Sequence, residues 1–202
     1  MNKTELTPRE RQARETRRKL IEAGREIFLL NGFQKATISQ IIKKANIGYG
    51  TAYVYFKNKD VLFIEIMEEI IIKFYEVADL PFAPKTTENA HEQISKQVRL
   101  FLECAIEEKE MMLIVKEAIG TSPLVEERWS LIRERFIKRI GLDIKYAQKE
   151  QLAKTSFQPE ILARGWFYAN EMFMWDCVKE DEIELEKIIS NLTNMYTGGL
   201  YQ

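Results

Sequence analysis

Between positions 48 and 56 the chain reads Gly48-Tyr49-Gly50-Thr51-Ala52-Tyr53-Val54-Tyr55-Phe56, a run with groups suited to a nucleic-acid surface. Tyr49 and Thr51 carry hydroxyls able to bond base edges or phosphate, and Val54 offers methyls to a thymine methyl. Tyr53 and Tyr55 present phenols fitted to phosphate oxygens. Gly50 has no Cβ, which lets another surface approach its backbone closely. In a helix with Ala52 inward, Gly50 and Val54 lie most nearly opposite, flanked by Thr51 and Tyr53. Lys59 follows in the first turn of a later helix, where the dipole disfavours a cation unless a phosphate is bound there. An ordinary short helix with surface tyrosines has the same composition, so the reading turns on the elements that position it.

Those elements are helical. Glycine and proline are few and fall between segments of helical period, and strand-like alternation is absent, so the chain reads as all-α. Thr7-Pro8 is a capping residue with proline at the first helical position. The stripe Leu20, Ala23, Gly24, Ile27, Phe28 marks the buried side of the first helix. Asn31-Gly32-Phe33 gives a stop, with Gly32 free to take positive φ. Thr37-Ile38-Ser39-Gln40 fits a capping box and opens a second helix ending by about Lys44. Ala45-Asn46-Ile47 makes a tight turn into a third helix, Gly48 to about Phe56, and Asn58 caps a fourth running towards Val77. Ile38, Ile41, Ile42, Ile47, Ala52 and Phe56 are predicted to face the first helix. Three short helices with such a turn satisfy the packing of a helix-turn-helix, whose second helix enters the major groove.

Charge agrees with this placement. Residues 1–60 hold 13 Lys and Arg against 6 Asp and Glu, a formal +7; the remainder holds 17 against 25, a formal −8. A basic N-terminal quarter on an acidic body points to a polyanion met by the N-terminal part only. We expect residues 1–60 to form the DNA-binding domain and 61–202 a larger helical domain. No stretch approaches the roughly 20 apolar residues of a membrane span, and no signal peptide is expected. Cys104 and Cys177 lie alone in apolar helical pattern and read as buried thiols in a reducing cytoplasm.

The stretch from Thr16 to Met67 resembles the TetR family of bacterial regulators. The resemblance rests on Phe28 with Gly32, Thr37, the segment from Ile41 to Ala45, Gly50-Thr51-x-Tyr53-x-Tyr55-Phe56, Lys59 and Leu62. It covers about a quarter of the chain. It implies a two-domain, Ω-shaped homodimer, a ligand-responsive repressor that binds a pseudo-palindromic double-stranded operator and lets go when an inducer binds. By position, Thr37, Tyr53 and Lys59 look like the family's phosphate contacts, and Tyr49, Gly50, Thr51 and Val54 like its base-reading face. The family commonly opens the reading helix with Ser and a basic residue; here Gly48 is a weaker cap, and Tyr49 replaces the cation.

Beyond the break at Pro81–Thr87, helices are predicted over Glu88–Glu107, Glu110–Ile119, Pro123 to about Lys154, Pro159 to about Lys179, and from Asp181 or Glu182 to about Tyr196. The Pro159 helix is apolar on two faces, one along Leu162, Trp166, Ala169 and Phe173, the other including Phe167, Tyr168, Met174, Trp175 and Val178. One face inside the domain and one against a second copy would cover both. With the last helix, it would form a four-helix dimer interface. Phe101, Met111, Met112, Trp129, Phe136, Trp166, Phe167 and Phe173 are candidates to line an apolar cavity, each equally at home in a plain core. The ligand expected is an apolar or amphipathic small molecule. Arg164, Asn170, Glu171 and Asp176 are polar groups within this helix; any could orient a ligand, and each could equally make a helix-surface pair, such as Arg164 with Glu160 or Tyr168.

Other classes fit less well. A single histidine, His91, excludes His-pair metal sites and disfavours a Ser-His-Asp arrangement. No G-x-S-x-G, P-loop or dinucleotide fingerprint is present, so no catalytic residues, metal or cofactor are expected. A sequence-tolerant architectural DNA-binding protein is the remaining alternative, ahead of a helical enzyme, and would bind all duplexes alike.

Overall fold

The structure, a computed structural model, describes residues 7–201; residues 1–6, which open the expected DNA-binding domain, and Gln202 lie outside the described residues. The described residues form nine α-helices: α1 Pro8–Lys35, α2 Ile38–Ala45, α3 Tyr49–Tyr55, α4 Lys59–Ala78, α5 Thr87–Glu107, α6 Lys109–Ile119, α7 Pro123–Lys149, α8 Pro159–Lys179 and α9 Leu185–Leu200. No strand occurs among them, only an isolated bridge between Ala153 and Tyr201. The chain divides into two compact units. The first joins the described residues up to Glu69 with Ile114–Arg128; the second joins Ile70–Leu113 with residues 129–201.

In the first unit, Thr7 caps α1. Its Oγ1 accepts from the Glu10 N–H at 3.3 Å, and Glu10 Oε2 accepts from the Thr7 N–H at 2.8 Å. At Gly32 the backbone leaves the helix with φ 72° and ψ 174°, and one more helical turn runs to Lys35. That conformation belongs to glycine. The core is the stripe read from sequence: Leu20 and Phe28 of α1, Ile41 and Ile42 of α2, and Leu62 and Phe63 of α4 are fully buried. Burying one such side chain contributes about 1.5–3 kcal/mol. Phe63 sets its edge against Phe28 at 4.8 Å and Phe33 at 5.0 Å between centroids. Gly24 is required here, because a Cβ on it would collide with the Leu62 side chain.

The second unit is built on α5, α8 and α9, with the Ile70–Ala78 part of α4, the start of α6 and most of α7. An aromatic chain runs through it from Phe74 to Phe101, Phe136 and Phe167, with successive centroids 5.3, 5.3 and 5.5 Å apart. Trp166 stacks on Tyr196 at 4.1 Å. The buried Glu171 carboxylate accepts from Trp129 Nε1 at 2.6 Å and from Arg133 Nε at 2.9 Å. Cys104 and Cys177 are free and buried.

Three sequence expectations are corrected. Helix α7 stops at Lys149, because Gln151 turns into the left-handed region at φ 60° and the Leu152 N–H closes back on the Ala147 carbonyl. Helix α9 starts at Leu185, Asp181 being drawn aside onto Lys109 Nζ at 2.6 Å, and it continues through Gly198-Gly199. Two helical glycines cost about 1 kcal/mol each, offset by burial of Leu200 and Tyr201 and by the Lys154 N–H bonded to the Leu200 carbonyl at 2.9 Å. Arg164 pairs chiefly with Glu134, at 2.9 and 3.1 Å, and of its two expected partners meets Tyr168 rather than Glu160.

Candidate nucleic-acid interface and ligand cavity

Helices α2 and α3 meet at a turn made by one residue. Asn46 is left-handed at φ 54° and ψ 47°, and its N–H reaches the Ile42 and Lys43 carbonyls. Asparagine tolerates that region better than other non-glycine residues. Thr37 caps α2: its Oγ1 accepts from the Gln40 N–H at 3.2 Å, while Gln40 Oε1 accepts from the Thr37 N–H at 2.8 Å. Thr37 itself is exposed. Helix α3 has no side-chain cap, as Gly48 dictates, and turns Ala52 inward to burial.

The opposite face of α3 is open. Tyr49, Gly50, Thr51, Tyr53 and Val54 are all exposed, Val54 at 80%. A Cβ at Gly50 would meet nothing within 4 Å. Six of the seven predicted DNA contacts, these five and Thr37, are therefore presented to solvent. Tyr55 is half-buried, and the Arg17 guanidinium lies 5.8 Å from the centroid of the Phe56 ring just behind α3.

Lys59 is placed differently. Its Nζ donates to the carbonyls of Phe33 at 2.7 Å, Gln34 at 3.1 Å and Ala36 at 3.0 Å, and stands 4.6 Å from the Phe33 ring centroid. An ammonium has three N–H donors, and all three are engaged. The expectation gives this ammonium to a phosphate; in the structure it closes the end of the α1 segment. The other side of the same turn is held by Glu117 of α6, a residue that sequence reasoning missed. Its carboxylate accepts from the N–H groups of Phe33 and Gln34, both at 3.0 Å. Asp60 accepts from Ser122 Oγ at 2.5 Å, a further tie between α4 and the segment after α6. No local pattern marks Glu117, since its partners lie more than eighty residues away.

The second unit holds a pocket of about 60 Å³, half open to solvent and lined mainly by apolar side chains. Phe101, Phe136, Trp166 and Phe167 of the predicted set reach it. Met111, Met112 and Trp129 are buried away from it, and Phe173 is half-buried outside it. The polar groups on the wall are Gln97, Arg139, Asp143 and Asn170, of which only Asn170 stands among the polar candidates read from the sequence. A signal existed: Phe136, Arg139, Ile140 and Asp143 stand at i, i+3, i+4 and i+7, which puts two charges on an apolar stripe. Arg139 Nη2 lies 3.3 Å from Asp143 Oδ1 and 3.2 Å from the Leu80 carbonyl. Burial pushes the Asp143 carboxyl up to about 7 even though Arg139 opposes the shift.

An all-α chain with a short, outward-facing second helix after a left-handed turn defines a helix-turn-helix DNA-binding protein. Residues 20–66 match the family model described as bacterial regulatory proteins, tetR family. Over 137 residues, 67% of its length, it is 23% identical to the HTH-type transcriptional regulator SrpR of Pseudomonas putida, covering 62% of that protein. Over 77 residues, 38% of the chain and 40% of the relative, it is 32% identical to the fatty acid metabolism regulator protein of Bacillus subtilis strain 168. The matched stretches thus span less than two thirds of either relative. In fold it is similar to a solved SmeT–triclosan complex, with TM-score 0.70 at 17% identity over 93% of this chain and 92% of the other. Its relatives are transcriptional regulators rather than enzymes. No described helix is long and apolar enough to cross a membrane.

Proposed function

We propose that the protein is a ligand-responsive transcriptional repressor that binds a pseudo-palindromic operator as a homodimer. The observation that carries this is the open face of α3, where Tyr49, Gly50, Thr51 and Val54 are exposed together with no cover. These four read bases; Tyr53 and Thr37 hold phosphates, which positions the helix without carrying sequence information. Residues 1–60 carry the contacts with DNA, and residues 61–202 sense the ligand and dimerise.

Support for a dimer comes from α8 and α9, whose Ile161, Tyr168, Met172 and Met195 are exposed apolar side chains beside well-packed inner faces. Support for an inducer comes from the aromatic pocket, and SmeT, a neighbour in fold, is named as a complex with triclosan. Helix α4 has Leu62 and Phe63 in the first unit's core and Val77 and Ala78 on the cavity wall. Ligand binding shifts α4 and lowers operator affinity. A coupling of about 1–3 kcal/mol gives a fivefold to 150-fold release.

Selection from a random duplex pool tests the reading. It should enrich one two-fold symmetric site, preferred by about a thousandfold or more over unrelated DNA. Equal binding to all duplexes would refute it.

A further inference from the structure

Helix α1 starts earlier than its core requires. Thr16 is its first buried residue, and residues 8–15 are all exposed except Ala13 and Glu15, which are half-buried. About two turns therefore have little packed against them, although packing is what stabilises most helices in proteins. They are fixed from their own end instead, by Pro8 in the first turn and the capping box of Thr7 and Glu10. What this stretch carries is positive charge. From Pro8 to Lys19 it holds Arg9, Arg11, Arg14, Arg17, Arg18 and Lys19 against Glu10 and Glu15, and it lies outside the residues that match the family model.

Three of these cations have partners. Arg18 donates to Glu15 at 2.8 and 3.0 Å and also to Glu22, Lys19 lies 3.8 Å from Glu15, and Arg17 pairs with Glu65. Glu10 is turned onto Thr7, whose N–H and hydroxyl both donate to it at 2.8 Å, and Arg14 acts on it only through space. Arg9, Arg11 and Arg14 have no hydrogen bond or ion pair among the described residues. Arg11 and Arg14 share the helix face opposite Thr16 and Leu20, and Arg9 continues the line of those two past the last buried position. The place matters as much as the charge. The Arg17 guanidinium is 5.8 Å from the ring of Phe56, the C-cap of α3, so the free turns begin beside the reading helix. At 1.5 Å per residue, Arg14 to Arg9 lie about 5–12 Å further along the axis, no more than about four base-pair steps of 3.4 Å. Guanidinium groups suit phosphate oxygens, which they can meet with two parallel hydrogen bonds. We propose that Arg9, Arg11 and Arg14 bind backbone phosphates next to the base pairs that α3 reads, adding affinity without changing the sequence read. This rests on the reading of the protein as an operator-binding regulator and extends its contact with DNA.

The test is binding of the full chain to a selected operator and to an unrelated duplex over a range of salt. Each phosphate contact contributes about 0.9 to the slope of log affinity against log salt. The triple variant Arg9→Gln, Arg11→Gln, Arg14→Gln should therefore lose about 2.7 of slope on both duplexes, and its deficit should be about fortyfold larger at 50 mM than at 200 mM salt. Each single variant should lose about 0.9, which keeps the test open if the triple fails to fold. Lysine at the same three positions should restore the slope, and random-pool selection should return the same site throughout. Lys96→Gln, Lys138→Gln, Lys149→Gln removes the same charge from exposed positions of the second unit and should leave the slope unchanged. A loss below about one unit in the arginine triple, an equal loss in the lysine triple or a changed site would overturn the proposal. The slope loss without any enriched site sinks the regulator reading and upholds the phosphate contacts. One enriched symmetric site with an unchanged slope does the reverse.

Discussion

Replacing Gly32 by alanine is expected to cost about 4 kcal/mol of stability in the first unit. The backbone at φ 72° and ψ 174° lies where only glycine is at ease, and an L-residue there costs about 1–3 kcal/mol. The new Cβ would also stand 2.8 Å from Glu117 Oε2. Glu117 must then withdraw, releasing the Phe33 and Gln34 N–H groups that it holds at 3.0 Å. Hydrogen bonds to a charged group are worth about 1.5–3 kcal/mol, and with the Gln34 side exposed we take about 2 kcal/mol for the pair. Glu117→Ala alone should therefore cost about 2 kcal/mol. In the double variant the collision is gone, so the total should stay near 4 rather than reach about 6 kcal/mol, a coupling of about 2. Urea unfolding followed by circular dichroism measures the three values. Amide exchange at Phe33 and Gln34, which should quicken in both single variants, places the change locally. Strict additivity, or a Gly32→Ala cost under about 1 kcal/mol, would refute the argument.

Lys59→Ala should lower stability by about 2 kcal/mol and leave the salt dependence of DNA binding unchanged, because its ammonium is committed to three carbonyls; a salt slope reduced by about one unit would restore it as a phosphate contact. Tyr53→Ala should weaken binding to every duplex alike, whereas Val54→Ala should alter the selected site, both read by titration against a panel of operators. Asp143 binds a proton on folding, since its carboxyl rises from 3.8 to about 7; its contribution is full below pH 4 and is lost as pH rises towards 7. The loss is at most about 4 kcal/mol, so Asp143→Asn should flatten the pH–stability profile in that window relative to wild type. Met172→Asp on the exposed face of α8 should turn a dimer into a monomer in native mass spectrometry, and an unchanged mass would move the interface elsewhere.

What the sequence disclosed was what neighbours along the chain decide. Thr37 with Gln40, Gly32 at the helix stop, the turn before α3 and the inward Ala52 follow from spacings of a few residues, and each stands where the pattern puts it. The open face of α3 follows from Ala52 by geometry alone. Lys59 was legible as an unusual charge but not in its partners, because the carbonyls it meets are freed by a helix that ends more than twenty residues earlier. The cavity was half legible. Aromatic density named Phe101, Phe136, Trp166 and Phe167, yet the same density placed Met112 and Trp129 in solid core. Volume matching across α5, α7 and α8 decides between those fates, and no single helix carries that information. Arg139 and Asp143 were passed over because charge normally signals a wet face.

The unit that presents α3 is not one stretch of chain: Ile114–Arg128 completes it, with Glu117 clasping the Gly32 turn and Ser122 bonded to Asp60. Its heredity is therefore split. A recombination that exchanges the first seventy residues between two relatives would hand the incoming head a foreign residue where Glu117 stands. Such a chimera carries the α3 face of one parent on a turn clasped by the other parent's residue. Grafting 114–128 along with the head would restore the match, so new operator specificities should be transferred as two pieces or reached by point changes on α3.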